Sequence, residues 1–359
     1  MIDNPCTFFV PGPTWVRPEI LEEMTRPMIG HRSAEFKALF SGIRPGLREL
    51  FGTAGEVFVA TSSGTGLLEA SLINCVGRRV LVTTCGAFSE RWLSIAQKLG
   101  LEVDRLDTEW GEAVSPARLA DHLEGRQQHY DAVTITHNET STGVINDVES
   151  LARVIQEESP GSLILVDAVS SLGGAPMACD AWGIDVCLAS TQKGIALPPG
   201  IALFFVSERA FEVARKRPYR GTYFDFLEFQ KNAAIDSVPF TPSVPHFYAL
   251  ARQLRDMATE TLPVRFERHQ TMRALTLERT AGYATPMAKL EYASPTVSAL
   301  RPHRGDPEVL RSRMKKRGFT LGGGYGKWKD LGFRIGHMGD ISIEALSAML
   351  DVLAEESEQ

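Results

Sequence analysis

The sequence predicts an α/β fold: a large domain built on a mixed, mostly parallel sheet, joined to a smaller α+β domain. Three observations predict it. From about Glu56 to Val206, short β-branched runs alternate with helical patterns, the order that builds a parallel sheet covered by helices. One connection, Thr191 to Gly200, is rich in proline and too short for a parallel crossover, which needs about a dozen residues. After Pro245 the alternation stops, and long helical patterns precede short strands.

The elements follow in order. Val57-Phe58-Val59-Ala60 reads as a strand and Leu67 to Cys75 as a helix. Val80-Leu81-Val82-Thr83 is a second strand, followed by a helix from Phe88 to Leu99. Ala132 to Thr136 is a strand and Val148 to Glu158 a helix. Leu163-Ile164-Leu165-Val166 is an apolar strand ending in Asp167, and Ile184 to Ser190 another. Because the Thr191–Gly200 connection is short, Ile201 to Val206 should run antiparallel to its neighbour. Beyond Pro245, helices are expected over His246 to Thr261 and Val264 to Thr280. Short strands follow near Ala293–Ala299, Gly318–Leu321 and Phe333–Ile335, and Ile343 to Glu356 is a closing helix. The expected division is a large domain over 16–245 and a small one from 246–359 with the segment 1–15. No repeat or low-complexity segment is visible.

Bulk properties narrow the function. The 359 residues are 43% hydrophobic and 23% charged, ordinary for a globular chain with a sizeable core. A net charge of −6 argues against nucleic acid or an anionic membrane as the main partner. Five cysteines without a CxxC pair fit reduced thiols in a cytoplasmic protein and give no zinc site. Cys75 and Cys187 lie in apolar runs and should be core residues. Met1 to Pro5 lacks the basic and apolar regions of a signal peptide. No apolar stretch reaches the ~18 residues of a membrane span.

Several polar residues fall just past strand ends: Ser63, Thr140, Asp167 and Lys193. In open α/β sheets, ligands bind outside the carboxyl ends of the strands. Lys193 and Asp167 form a suggestive pair. A lysine there can form a Schiff base with pyridoxal phosphate, and a carboxylate nearby can keep the pyridine nitrogen protonated. Taken singly, each also fits a solvated lysine or a capping aspartate. Thr61-Ser62-Ser63-Gly64-Thr65-Gly66 leads into a helix, so its backbone N–H groups suit a phosphate, although an ordinary serine cap has the same pattern. It is neither a Walker loop nor GxGxxG. Phe88 can stack on a flat ring or fill the core. His137-Asn138-Glu139-Thr140-Ser141-Thr142-Gly143 is a dense polar loop. Arg334 lies inside an apolar strand, where it needs an anionic partner: a substrate carboxylate or a structural ion pair.

Taken together, these stretches resemble the class V aminotransferases of pyridoxal-phosphate (PLP) fold type I, in the alanine/serine–glyoxylate and serine–pyruvate group. The matching stretches are Pro11-Gly12-Pro13-Thr14, Ser62 to Ala70, Gly86 to Arg91, His137 to Gly143 and Val166 to Gly174. Ser190 to Gly200, Pro239-Phe240-Thr241-Pro242 and Phe333-Arg334-Ile335-Gly336 complete the series. The resemblance implies that Lys193 bonds the cofactor and shuttles the substrate's α-proton, while Asp167 pairs with the pyridine nitrogen. It implies that Phe88 stacks on the ring and Thr140 lies beside it. Ser63, Gly64, Thr65 and Gln192 would hold the phosphate. Thr241 would reach the phosphate in a neighbouring subunit, which makes the protein a homodimer with shared sites. Arg334, helped by backbone near Gly12, would bind the substrate carboxylate. Phe88 replaces the commoner tryptophan or tyrosine, and Val238 stands where relatives place a tyrosine. His31-Arg32 recurs in similar sequences without a role that chemistry supplies.

The expected reaction is transamination between a small L-amino acid (serine, alanine or glycine type) and a 2-oxo acid such as glyoxylate or pyruvate. One carboxylate anchor, Arg334, favours monocarboxylic substrates, with Arg32, Arg220 or Arg255 as possible second anchors. The Arg217–Tyr223 loop is a candidate wall of the substrate pocket. The alternatives are a lyase of the cysteine desulfurase kind, with Cys85 as the reactive thiol, and a silent PLP-binding regulatory protein.

Overall fold

The computed structural model describes residues 5–124 and 129–358. The amino-terminal signal reading falls largely on residues 1–4, outside them.

A seven-stranded sheet forms the larger layer. Its order is Val57–Ala60, Ala202–Val206, Val186–Ser190, Leu163–Asp167, Ala132–Thr136, Arg79–Thr84 and Glu102–Asp107. Ala202–Val206 is antiparallel to both neighbours, and the other pairs are parallel. The reversal follows from the short connection after Ser190. Six of the strands consist almost wholly of buried residues, as a sheet covered on both faces requires. Glu102–Asp107 was not anticipated. Its Glu-Val-Asp-Arg-Leu-Asp run carries no apolar alternation, because it is the exposed edge. Arg79 pairs with Asp104 there at 2.7 Å, and such charge blunts further strand addition.

Helix starts differ from expectation by one to three residues. The helix expected from Leu67 begins at Gly64, with Ser63 as its N-cap. Phe88 is the N-cap of Ser89–Lys98, not its first residue. The helix Ala34–Phe51 was not foreseen, since Pro45 interrupts its pattern. Ser33 accepts a hydrogen bond from Phe36 N, and Gly52 (φ +59°) closes the helix in the left-handed region, which glycine adopts at little cost. Phe36 and Phe40 pack on Phe247 of Val244–Glu260, with ring centroids 5.1 and 6.1 Å apart.

The second sheet has five strands in the order Phe8–Phe9, Thr320–Gly323, Phe333–Gly336, Val297–Pro302 and Ala284–Pro286. The strand expected near residues 293–299 starts later, at Val297. The strands at Phe8–Phe9 and Ala284–Pro286 are too short to show a period. This sheet has its own core: Phe9, Leu300, Leu321 and Phe333 meet Met349, Leu350 and Leu353 of the helix Ile343–Ser357. Val244–Glu260 packs into the core of the larger layer, and Leu262–Thr280 packs on the smaller layer and its helix Ile343–Ser357. Cys75 and Cys187 are fully buried. Among the described residues, no helix is long and apolar enough to cross a membrane.

Candidate active site

The carboxyl ends of the central strands open into a cavity of about 240 Å³. The Ser63–Thr65 turn and Phe88 line it, with Thr140 and Asp167. Gln192, Lys193 and Gly12 complete the predicted residues in its wall. Gly12 comes from the segment after Phe8–Phe9 and approaches Lys193 closely. A Cβ at Gly12 would lie 2.4 Å from Lys193 Nζ, and its φ of +134° disfavours any side chain.

Asp167 and Lys193 sit at the ends of adjacent parallel strands, with Asp167 opposite Leu188. Lys193 Nζ donates to Pro11 O. Burial pushes the Lys193 amine down to about 8, the Arg334 cation adds to this, and Asp167 opposes it. Burial pushes Asp167 up to about 6, although Val169 N donates to its Oδ1 at 2.8 Å. A lysine titrating near 8 is neutral above that pH, and only the neutral amine attacks an aldehyde. The rate at which the apoprotein captures pyridoxal phosphate should therefore rise through pH 8 and level off above it. Stopped-flow absorbance against pH measures this; a curve still rising at pH 10 would contradict it.

The helix Gly64–Cys75 points its first turn at the cavity. The first N–H groups of a helix have no partner within it and carry partial positive charge. Small residues are required here. A Cβ at Gly64 would sit 2.6 Å from Val169 Cγ2. Sequence reasoning missed Arg91. It lines the cavity and donates from Nη1 to Thr65 Oγ1 at 3.0 Å, so the anion seat includes a cation. The signal was present: Arg91 lies three residues after Phe88, on the same helix face. Its guanidinium is 4.8 Å from the Phe88 centroid.

Phe88 is held by Glu139, which sequence reasoning also missed. This fully buried carboxylate accepts from Phe88 N at 3.1 Å and from Ser89 N and Oγ at 2.8 and 3.0 Å. It also accepts from Ser141 Oγ at 2.6 Å. An anion capping a helix start is electrostatically favoured. Gly86 makes room for it, since a Cβ there would lie 2.4 Å from Glu139. The Phe88 ring stacks on Tyr325, with centroids 5.1 Å apart.

Arg334 does not line the cavity itself but reaches its wall. Nη1 donates to Thr140 O at 3.1 Å and Nε to Gly323 O at 2.7 Å. Its guanidinium lies 5.4 Å from the Tyr325 centroid. Burial pushes its pKa down to about 10, against the neighbouring Tyr325 and Glu139. Among the described residues, no carboxylate forms an ion pair with it. The structural ion pair that competed as an explanation is thus not there.

Thr241 is not brought to the cavity; it is exposed near Tyr223 and Phe240, which stack at 4.8 Å. Val238 is buried beside them. His31 and Arg32 do not line the cavity. Nor do the reserve anchors: Arg220 pairs with Asp225 at 2.9 Å, and Arg32 and Arg255 are exposed. Of the Arg217–Tyr223 loop, Tyr223 reaches the start of the anion turn, its OH donating to Thr61 O, and none of its residues lines the cavity in this chain. Cys85 is 1% exposed, its thiol pushed up to about 12 by burial. A thiol so placed is inert, which removes the residue on which the desulfurase alternative rested.

The cavity fits pyridoxal phosphate on its own chemistry. Ser190 Oγ, Gln192 Oε1 and Asn138 Oδ1 are buried around it without hydrogen-bond partners, and buried polar atoms are rarely left unpaired. A helix start with Arg91 suits a phosphate, and Asp167 suits a ring nitrogen. Fold and site together define an enzyme of the PLP-dependent aminotransferase fold. The family model "Aminotransferase class-V" matches residues 19–284, and the chain belongs to the class V aminotransferases. It is 39% identical to the soluble hydrogenase small subunit of Synechococcus sp. (strain PCC 6716), over 99% of this chain and 94% of that one. It is 32% identical to the serine–glyoxylate aminotransferase of Methylorubrum extorquens, over 93% of this chain and 86% of that one. Among solved structures, the subgroup IV aspartate aminotransferase of Thermus thermophilus aligns with a TM-score of 0.90 at 32% identity, covering 98% of this chain and 99% of that one.

Proposed function

We propose that this aminotransferase moves an amino group from a small L-amino acid, such as alanine, serine or glycine, to glyoxylate or pyruvate. The observation that carries the reading is Arg334: a desolvated guanidinium without a carboxylate partner among the described residues, hydrogen-bonded to a cavity residue. The serine–glyoxylate relative supports it. Bound pyridoxal phosphate supplies an electron sink for charge that develops at the substrate's α-carbon. The chain supplies the rest. Arg334 orients the substrate carboxylate with its planar fork. Lys193 takes the proton from the α-carbon and returns one during transfer. Asp167 holds a proton on the ring nitrogen. The Ser63–Thr65 turn, Gln192 and Arg91 would hold the phosphate, and Phe88 would pack on the ring, with Thr140 nearby.

A second reading, a dicarboxylic donor such as aspartate, is favoured by Arg91. If Arg91 stays with the phosphate near Thr65, no second carboxylate anchor is left and the small-donor reading holds. Incubating the holoenzyme with alanine, serine, glycine or aspartate and either glyoxylate or pyruvate, then quantifying the new amino acid, tests both. Turnover with aspartate alone would overturn the first. Arg334→Ala should lower kcat/KM for the donor about 100-fold, chiefly through KM, as loss of a charge-assisted bidentate contact does. Steady-state kinetics reads this, and an unchanged KM would remove Arg334 from the role.

Thr241 belongs to the same proposal. Exposed beside the anion turn, it fits a residue that completes the phosphate seat of a second subunit in a homodimer. Sedimentation should then give about twice the 39.5 kDa of one chain. The division at residues 15 and 245, and a cytoplasmic location, complete this reading. The silent-binder alternative predicts bound cofactor without any response to amino acids.

A further inference from the structure

Arg265 lies in the first turn of Leu262–Thr280 and is 2% exposed. It touches no wall of the cavity, yet it holds both loops that carry the reacting pair. Its Nε donates to Gly173 O at 2.9 Å, six residues beyond Asp167. Its Nη2 donates to Gly194 O at 2.9 Å, the residue after Lys193. The same Nη2 donates to Asp340 Oδ1 at 2.9 Å, and Nη1 donates to Glu260 Oε2 at 2.7 Å. Asp340 is in turn gripped by Arg17 Nε at 2.6 Å and Gln253 Nε2 at 3.0 Å.

The two loops meet backbone to backbone at this point. A Cβ at Gly194 would lie 2.3 Å from Leu172 O, and one at Gly173 would lie 3.1 Å from Gly194 O. Nothing but a hydrogen-bond donor from outside can satisfy both carbonyls, and a planar fork reaches two at once. Gly173 and Gly194 thereby gain a reason: the close approach of the two loops needs residues without side chains, whereas Gly174 leaves room for Thr296.

We infer that Arg265 is a positioning residue for the transamination, pinning the Lys193 strand end against the Asp167 loop so that amine and carboxylate keep their separation through the reaction. It acts through the backbone of Gly194 and Gly173, not on the substrate. The inference rests on the reading of Lys193 as the proton carrier. A misplacement of the order of an ångström in such a constellation slows chemistry far more than it weakens binding.

Arg265→Met and Arg265→Lys test it in the holoenzyme, with Lys193→Ala as the control. Arg265→Met should keep the cofactor and lower kcat about 10- to 100-fold, with KM for the donor within about threefold of wild type. The isotope effect with α-deuterated alanine should increase, because proton transfer becomes slower relative to the other steps. Arg265→Lys, with one ammonium for two carbonyls, should recover part of the rate. A purely structural role would instead lower Tm and cofactor occupancy, with kcat per occupied site unchanged. That result, or a loss confined to KM, would overturn the inference. If Arg265→Met does not fold, Arg265→Lys decides: unchanged kcat and isotope effect reject the inference, and a selective fall in kcat supports it. Activity in Lys193→Ala would instead reject the reading of Lys193, which separates the two failures.

Discussion

Lys193→Ala should lose turnover by at least about 10³-fold while remaining folded, because it removes the amine that moves the α-proton, a contribution of about 10²- to 10⁴-fold alone. It also removes the group that tethers the cofactor. The geometry leaves no substitute. Gly12 and Pro11 pack against the lysine, and the other cations near the cavity are engaged elsewhere, Arg91 with Thr65 and Arg334 with Thr140 and Gly323. The variant should still bind the phosphate at the Ser63–Thr65 turn, so cofactor would be retained without the yellow band of the lysine adduct. Activity within tenfold of wild type would exclude Lys193 from the role. Added methylamine should restore part of the rate, which simple misfolding does not allow.

Asp167→Asn should lower kcat about 10²- to 10³-fold, comparable to removing a preorganised charge partner in other enzymes. The buried amide keeps the shape of the site but cannot stabilise a proton on the ring nitrogen. A second readout isolates the carboxylate in the apoprotein. Burial raises Asp167 from 3.8 to about 6, so the folded state favours the neutral acid. Its contribution to stability is therefore complete below pH 4 and is lost as pH rises towards 6. In Asp167→Asn that loss should vanish. Denaturant melts of both apoproteins between pH 4 and 7 measure it; equal slopes would show that Asp167 does not titrate as its burial requires. Bound cofactor should weaken the slope in wild type, since a protonated ring nitrogen stabilises the carboxylate.

Much of this was legible in the chain, for physical reasons that also set the limits. Strands buried on both faces announce themselves as continuous apolar runs, so Leu163–Asp167 and Val186–Ser190 were placed almost to the residue. The antiparallel turn of Ala202–Val206 followed from loop length alone. Edge strands such as Glu102–Asp107 carry no such signal, because solvent accepts any polar side chain there. Ala34–Phe51 was hidden by Pro45 and is held by packing of Phe36 and Phe40 more than by propensity.

The site divides in the same way. Residues just past strand ends, Asp167 and Lys193, could be foreseen from topology. Residues that support them could not. Glu139 reads as one polar residue among several in its loop, and only the fold shows it capping the helix behind Phe88. Arg265 lies on a helix about 70 residues from Lys193, and nothing local marks it as buried. Thr241 was foreseen for a partner subunit and lies apart from its own cavity.

The most direct test of the central claim is a half-reaction. Purified yellow holoenzyme is mixed with alanine, serine or glycine, without any 2-oxo acid, and its visible absorbance is followed. The band should disappear as the amino group passes to the cofactor, and glyoxylate or pyruvate should then restore it. A band that ignores every amino acid, in a protein that holds the cofactor, would contradict the transaminase function and leave a silent binder.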